Sequence, residues 1–316
     1  MQLFGFQTPK NTRFLFIAYV LFSVLYFLWY GLVVGLNSGN IAFYFLISIL
    51  LFCTTGSRRF LLTFLPFVIY LLLYESLRIL HEYNIFNIHN EALYQFELKW
   101  FGFNIGGQLM TLNEFFLTNK HIILDIYSGI FYISWVPFPL LFTTLLFFKG
   151  WEKLAFRFWL CFLITNIFGF IIYITLPAAP PWYYLQYGAE INLDMVGQSA
   201  GLAAFDNIID FPLYENMYAQ SSNVYGALPS MHAAFPLILS YYSLRYKNWL
   251  FTGLFVLSLT GIWFGAVYTT HHYVVDLLAG IFCAILGIII TEKWFNKQSE
   301  KGFLHDYQQK LVKSHP

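Results

Sequence analysis

The chain has 316 residues, of which 59% are hydrophobic and only 10% are charged, and Phe, Tyr and Trp alone make up 22%. Soluble domains are about a quarter charged, so a chain this apolar cannot cover itself with polar surface, and we expect lipid to be its solvent. The formal net charge of +1 argues against nucleic acid as a partner, because there is no basic excess to neutralise phosphates. The cysteines, Cys53, Cys161 and Cys283, lie in apolar runs, as buried packing residues do.

A membrane-spanning helix needs about 20 mainly apolar residues. Candidate spans lie at roughly 14–36, 41–56, 59–83, 121–148, 155–177, 230–246, 249–268 and 271–292. The sequence therefore predicts an all-α integral membrane protein with about eight transmembrane helices. We interpret residues 1–58 as two N-terminal helices and 59–292 as a six-helix core. Residues 84–120 mix aromatic and polar side chains, which predicts interfacial helices, and 178–229 form a loop long enough to be functional. Residues 293–316 are a polar tail.

The distribution of basic residues predicts the orientation of these helices. With eight spans both termini share one side, and fourteen of the seventeen Lys and Arg residues fall there. Only Arg78, Lys99 and Lys120 fall on or near the other side, where the loop 178–229 also carries five acids and no base. Because basic residues crowd on the cytoplasmic side, we expect cytoplasmic termini, a cytoplasmic tail and an external loop facing the periplasm or a lumen.

Two motifs place polar residues at the external ends of helices, where each needs a reason. The first runs from Tyr268 to Asp276, at the start of the last helix. His272 and Asp276 are four residues apart and share a helix face. A carboxylate there can hold one imidazole nitrogen as N–H and leave the other as a nucleophile or base, whereas His271 is expected to point elsewhere. A capped helix start with an internally satisfied polar pair would explain the same residues.

The second motif, Gly226 to His232, opens the sixth helix on the same side. Proline suits a first helical turn, and the free N–H groups there, with the Ser230 hydroxyl, can bind an anion. His232 lies beside this cradle, where it can protonate a leaving oxygen. A single histidine at a helix start is usually structural, but two external helix starts that both carry histidine favour a site.

These motifs resemble the type 2 phosphatidic acid phosphatase superfamily, through Ser230-x-His232 followed by His272-x-x-x-Asp276. The stretches 176–183, 199–206 and 268–276 resemble one branch more closely, the fungal inositol phosphorylceramide synthases. The resemblance covers roughly residues 170–290 and implies a six-helix phosphatase-like core. It also implies that His272 is the nucleophile and forms a phosphohistidine, that Asp276 tunes it, and that His232 is the general acid.

The sequence departs from the phosphatases of this superfamily at the residues that hold phosphate. They carry Ser-Arg six residues before the nucleophilic histidine, whereas this chain has Gly265-Ala266. A phosphodiester bears about one charge rather than two, so a site with fewer cations suits it better. We therefore expect a phospholipid donor, such as phosphatidylinositol, and a lipid-alcohol acceptor, such as ceramide.

Four further residues are candidates for substrate binding. Arg78 can grip phosphate or pair with Glu75. Asp125 can orient His232, bind a substrate hydroxyl or cap a helix. Trp182 and Tyr183 lie in a rigid aromatic stretch that forms either an interfacial anchor or a wall of the headgroup pocket. We also expect a phosphate-sized gap between the imidazoles, with Asp276 within hydrogen-bond reach of His272.

No metal or other cofactor is predicted, because histidine and backbone N–H groups can supply the electrostatic stabilisation. Three alternatives stay open. The same site can use water, as a lipid phosphate or polyprenyl pyrophosphate phosphatase. A transporter or scramblase would show broken helices near the bilayer midplane, and a zinc hydrolase would need a second ligand pair at a familiar spacing.

Overall fold

The computed structural model describes residues 12–77, 88–219 and 224–297. Within them the chain is almost entirely helical. Numbered in chain order, the helices before the long loop are α1 Thr12–Trp29 (continued by a π-helical turn, Tyr30–Val34), α2 Ser38–Phe52, α3 Thr55–Thr63, α4 Leu65–Ser76, α5 Asn90–Phe101, α6 Leu112–Thr118, α7 Ile122–Ile133, α8 Pro137–Phe148 and α9 Glu152–Thr175. The helices within the long loop and after it are α10 Pro181–Tyr187, a 3-10 turn Ala200–Leu202, α11 Ala203–Ile209, α12 Leu213–Tyr218, α13 Met231–Tyr246, α14 Trp249–Tyr268 and α15 Val274–Lys297.

The predicted all-helical membrane fold is confirmed. In the described residues four segments are each long and apolar enough to cross a membrane, namely Phe16–Val34, α9, α14 and α15. The pairs α3–α4 and α7–α8 bring this number to six if each pair is one span. The shorter helices α2 and α13 occupy the remaining two predicted positions. Large side chains such as Leu32, Phe148 and Leu250 are exposed, as a surface in contact with lipid requires.

Two of the predicted spans are not continuous helices. The third bends by 59° between α3 and α4, and the fourth bends by 42° between α7 and α8. Pro66 and Pro137 lie in the first turns of the second halves, where a missing N–H costs no helical hydrogen bond. In the described residues, the candidate spans 59–83 and 121–148 are therefore each formed by a bent pair of helices.

Polar side chains determine where several helices begin. Asn37, Thr54 and Thr111 each accept the backbone N–H of the residue three positions on, and that residue's side chain bonds back to the cap. Asn248 accepts two N–H groups at the start of α14. Such caps satisfy helix-end donors that have no intrahelical partner.

The stretch before α7 contains more than the interfacial helices predicted from its composition. α5 is followed by a two-stranded antiparallel hairpin, with β1 at Phe103–Ile105 and β2 at Gln108–Met110, paired Phe103 to Met110 and Ile105 to Gln108. Gly106 and Gly107 form its turn with positive φ, which glycine adopts without steric cost. α6 then leads the chain to α7.

The core is formed by α9, α13, α14 and α15, with α4 packed on α9 and α7 on α14. One end of this bundle carries ion pairs between Arg59 and Glu152 and between Arg245 and Glu292. The opposite end, which we call the histidine end, carries the starts of α13 and α15 and receives α5, α6 and the long loop. Both motifs singled out in the sequence therefore meet at one end of the bundle.

Candidate active site

The turn between α14 and α15, residues 269–273, positions the predicted nucleophile; we call it the histidine turn. The N–H groups of His271 and His272 both donate to the carbonyl of Ala266, each at 3.0 Å. The Asn113 side chain donates to the carbonyls of Val267 and His272, at 3.0 Å each. Asn113 is fully buried, so α6 clamps the backbone on which His272 is carried.

The start of α13 is tied directly to α15. Ser230 is the N-cap of α13, and its hydroxyl accepts the N–H of Ala233 at 3.3 Å. The Ser230 N–H donates to the carbonyl of Asp276 at 2.9 Å. A side chain at Gly280 would come within 2.0 Å of the Ser230 carbonyl, so glycine is required there for the two helices to approach. Ser230 thus caps α13 through its side chain and joins α13 to α15 through its backbone N–H. Its hydroxyl already accepts a hydrogen bond within the helix.

His232, His272 and Asp276 converge at this junction. His232 Nδ1 lies 3.2 Å from His272 Nε2, and His272 Nδ1 lies 3.5 Å from Asp276 Oδ2. The same carboxylate oxygen accepts the Tyr273 N–H at 2.9 Å. With a proton on Nδ1 facing the carboxylate, His272 presents the lone pair of Nε2 toward His232.

The expected gap between the imidazoles is not found, because the two rings contact each other directly. Reacting atoms approach to about 3–3.5 Å before bond formation, and an acid must lie about 2.6–3.2 Å from its oxygen. Placing phosphorus and a leaving oxygen between the rings therefore needs about twice the 3.2 Å that separates His232 Nδ1 from His272 Nε2. One ring has to move before a phosphate can lie between them.

His271 points away from the dyad, as the spacing predicted. Its Nε2 lies 3.0 Å from the carbonyl of Ser199, and its ring stacks on Tyr218 with centroids 4.5 Å apart. Burial lowers the pKa of His271 to about 3 and that of His272 to about 4, with a contact to the Ala227 backbone opposing the shift at His272. Both rings are consequently neutral near pH 7, and a neutral imidazole is the form that can act as a nucleophile.

Asp125 does not orient His232. Its Oδ1 accepts the hydroxyl of Tyr268 at 2.8 Å, whereas the hydrogen-bond partner of the His232 ring is His272. The Lys120 ammonium donates to the carbonyl of Tyr268 at 2.8 Å and lies 4.2 Å from the centre of its ring. Lys120 therefore brings a positive charge to the start of the histidine turn.

Lys120 was not among the site residues predicted from the sequence, because it lies in a short polar connection with no motif around it. Burial lowers the pKa of Lys120, and the charge of Asp125 opposes this shift. Its charge also acts on His271, and its ammonium is 3.0 Å from where a side chain at Gly201 would begin. Arg78, the predicted phosphate ligand, lies outside the described residues.

The two aromatic candidates have different surroundings. Trp182 lines a cavity of about 710 Å³. Its backbone N–H donates to the carbonyl of Thr270 at 3.0 Å. Tyr183 is fully buried, with its hydroxyl 2.9 Å from that of Tyr225. Trp182 is thus a wall residue, whereas Tyr183 packs behind the wall.

Glu97, on α5, is a second residue that the motifs did not reveal. Its carboxylate oxygens accept the N–H groups of Val274 and Val275, at 2.9 and 3.1 Å. It is fully buried, and burial raises its pKa to about 7, although the two N–H contacts oppose the shift. Glu97 therefore caps the first turn of α15. The two N–H groups that it binds belong to residues that lie between His272 and Asp276 in the chain.

Comparison with known proteins identifies the family. The profile described as the PAP2 superfamily matches residues 92–290. The chain is 36% identical to the phosphoinositol dihydroceramide synthase of Bacteroides thetaiotaomicron, over 92% of this chain and 96% of that protein. It is 36% identical to the catalytic subunit of inositol phosphorylceramide synthase of Saccharomyces cerevisiae, over 40% of this chain and 31% of the yeast protein. The Schizosaccharomyces pombe catalytic subunit is 30% identical, over 64% of this chain and 48% of that protein.

No solved structure gives a significant match. The superfamily match covers more than half of the chain and includes the histidine turn, the start of α13 and Glu97 on α5. The bacterial match leaves only 8% of the chain uncovered, so it extends into the N-terminal helices, where the sequence had indicated only a membrane segment. By these matches the chain belongs to the PAP2 superfamily.

Proposed function

We propose that this protein transfers phosphoinositol from phosphatidylinositol to the hydroxyl group of a ceramide or dihydroceramide. The observation that carries the proposal is the convergence of His232, His272 and Asp276 at one end of a membrane-spanning bundle. The names of its relatives support this donor and acceptor, since the bacterial relative is a phosphoinositol dihydroceramide synthase and the yeast relatives are inositol phosphorylceramide synthases.

In the first step His272 Nε2 attacks the phosphorus of the donor. An N–P bond forms, the bond between phosphorus and the diacylglycerol oxygen breaks, and His232 in its protonated form gives its proton to that oxygen. The anionic phosphodiester itself favours the protonated form of His232, because a nearby opposite charge stabilises a cation. The phosphorylated ring of His272 keeps its Nδ1 proton, and Asp276 offsets the resulting positive charge.

In the second step the lipid alcohol replaces diacylglycerol. His232 takes the proton of the hydroxyl group, the oxygen attacks phosphorus, and the N–P bond to His272 breaks. His232 is then protonated again, so the two steps consume no net proton. No oxidant or reductant takes part, and one phosphodiester replaces another.

The charge at the site supports a diester donor. Gly265 and Ala266, which replace the Ser-Arg of the phosphatases, are buried and leave no cation at that position. In the described residues, Lys120 is the cation that we assign to the phosphate, because its ammonium already lies beside the histidine turn. A single ammonium matches the single charge of a phosphodiester better than the nearly double charge of a monoester.

The proposed orientation places the histidine end outside the cytoplasm and both termini inside it. Its support is the distribution of basic residues, fourteen of seventeen on the predicted cytoplasmic side. Attachment of a membrane-impermeant reagent to cysteines placed in the loop near Asp194 and in the connection near Lys149 tests it in sealed vesicles. Labelling at both positions, or only near Lys149, contradicts the orientation.

Acceptor dependence tests the function. Purified protein in mixed micelles is given phosphatidylinositol with and without ceramide, and inorganic phosphate release from phosphatidic acid is measured in parallel. We expect inositol phosphorylceramide and diacylglycerol in equal amounts, formed only with the acceptor, and little inorganic phosphate. Rapid phosphatidic acid hydrolysis, with phosphatidylinositol untouched in the presence of ceramide, assigns the protein as a lipid phosphate phosphatase instead.

A further inference from the structure

The cavity that Trp182 lines lies at the histidine end, and its location shows which part of a lipid it can receive. Its walls come from α10, from the segment 196–203, from α12 and from the histidine turn itself, through Thr270. Most of these elements belong to the long loop rather than to membrane-spanning helices. Its volume of about 710 Å³ is in the range of small-molecule sites. Because its walls come mainly from the loop at the histidine end, the cavity is placed to receive a polar headgroup rather than an acyl chain.

The cavity adjoins the catalytic turn through backbone contacts. The N–H groups of Trp182 and Gly201, both lining residues, donate to the carbonyls of Thr270 and Thr269, at 3.0 and 3.1 Å. The carbonyl of Ser199, another lining residue, holds His271. Thr270 is two residues from His272, so their Cα atoms are within about 7 Å of each other. A group esterified to phosphorus at His272 can extend into this cavity.

The polar lining matches a neutral polyol. It carries one carboxylate, Glu215, two side-chain amides, Gln186 and Gln198, and the hydroxyls of Ser199 and Thr270. None of the residues that line it is Lys, Arg or His, and the nearby Lys120 ammonium, which lies beside Gly201, is the cation already assigned to the transferred phosphate. Amides and hydroxyls both donate and accept, as the hydroxyls of a polyol do, whereas an ammonium headgroup only donates.

The backbone of Glu215 is held in place by the buried carboxylate of Asp206. Asp206 accepts the N–H groups of Tyr214 and Glu215, both at 2.9 Å through Oδ2, and is itself buried. Asp206 thereby fixes the first turn of α12, on which Glu215 stands. A backbone fixed in this way lowers the cost of ordering the loop upon binding, and it gives a reason for Asp206, which the catalytic dyad leaves unexplained.

We infer that this cavity binds the polyol headgroup of the donor, with Glu215 accepting hydrogen bonds from its hydroxyls and Trp182 packing against the ring. The inference rests on the proposed function and adds a location and a selectivity residue to it. Glu215 is a binding residue here and takes no part in the bond-making steps.

The first test compares kinetic constants. Glu215→Gln keeps the size of the side chain, is exposed and is therefore expected to fold. It should raise the KM for phosphatidylinositol about tenfold, the change expected when a hydrogen bond to a charged group is weakened, with the KM for ceramide unchanged. Asp194→Asn, an exposed acid of the same loop that does not line the cavity, is the matched control and should leave both constants unchanged. An unchanged KM for phosphatidylinositol in Glu215→Gln overturns the inference.

The second test measures occupancy without turnover. Ala219→Cys, on the cavity wall, is placed in a background with His272→Ala and Cys53→Ser and is labelled with a charged maleimide. We expect soluble glycerophosphoinositol to slow the labelling at least tenfold, and glycerophosphoethanolamine not to. Protection only by the ethanolamine compound, or by neither, overturns the inference even if wild-type protein makes inositol phosphorylceramide. Protection by glycerophosphoinositol, with no transfer to ceramide by the wild type, removes the proposed acceptor and leaves the cavity assignment intact.

Discussion

Replacing Glu97 tests whether the catalytic turn needs a cap supplied from a distant helix. The two carboxylate oxygens bind the N–H groups of Val274 and Val275 at 2.9 and 3.1 Å in a fully buried position. Glu97→Ala leaves both donors without an acceptor, at roughly 1–3 kcal/mol each, so we expect a loss of about 2–6 kcal/mol in the free energy of unfolding. Glu97→Gln keeps one acceptor oxygen and should lose about half as much.

The same change should lower kcat. The Val274–Val275 turn lies between His272 and Asp276, and a displacement of about 1 Å in a catalytic group costs about a hundredfold in rate. We therefore expect kcat to fall between ten- and a hundredfold in Glu97→Ala, with the KM for ceramide little changed, because Glu97 is fully buried against α15. Steady-state kinetics, carried out below the melting temperature of the variant, and thermal unfolding in detergent measure the two effects.

The matched control is Glu91→Gln, on the same helix. Glu91 is exposed and bonds to Gln95 and Tyr184 rather than to the histidine turn, so its replacement should leave kcat and melting within about twofold and 2 °C of wild type. If Glu97→Ala melts lower but keeps the wild-type kcat, Glu97 stabilises the fold alone and the positioning argument is refuted.

Three further predictions follow from the site. His272→Ala should abolish transfer and any acid-labile phosphoprotein, and turnover by this variant contradicts the mechanism. His232→Ala should still form the phosphoprotein from a donor with a p-nitrophenolate leaving group, because that group needs no acid to depart. Lys120→Met should raise the KM for phosphatidylinositol about tenfold without changing that for ceramide, and an equal change in both constants would indicate a structural role. Burial raises the pKa of Glu97 from 4.5 to about 7, so between these pH values the folded state binds more protons than the unfolded state. The free energy of unfolding should therefore fall as the pH rises from about 4.5 to 7. Melting temperature measured against pH should show a shallower slope in Glu97→Gln.

The membrane-spanning helices were predictable because lipid imposes length and apolar composition on each of them independently. The bends were also signalled, by Pro66 and Pro137, but apolar composition alone does not distinguish a bent pair from a straight helix. The division between the N-terminal helices and the core at residue 58 stays a prediction, and so does the orientation of the helices in the membrane. The bounds of helices alone define neither a domain boundary nor the two sides of a membrane. His272 and Asp276 could be found from their spacing of four residues, although His272 lies in the turn before α15 rather than on the helix that carries Asp276.

The parts that sequence reasoning missed depend on contacts between distant segments. Glu97 caps a turn 177 residues away, and Lys120 reaches a carbonyl 148 residues away. No local pattern marks either residue, and a single sequence gives no information on which helices meet. The expected gap between the imidazoles was wrong for another reason. It described the arrangement that chemistry requires with phosphate present, whereas two neutral rings that face each other gain a hydrogen bond by closing.

The closed dyad also determines which ring is free to move. His272 is held by Ala266 and Asn113 through its backbone and faces Asp276 with Nδ1, and it is buried. His232 is partly exposed, and apart from His272 its ring contacts aromatic faces and edges, those of Tyr132 and Trp135, with centroids 4.8 and 5.2 Å away. Such contacts constrain a ring less directionally than hydrogen bonds do. We therefore expect His232 to swing away when phosphate enters while His272 stays in place. This division suits the chemistry, because the nucleophile attacks one phosphorus from one direction, whereas the acid must first serve a departing oxygen and then an arriving one.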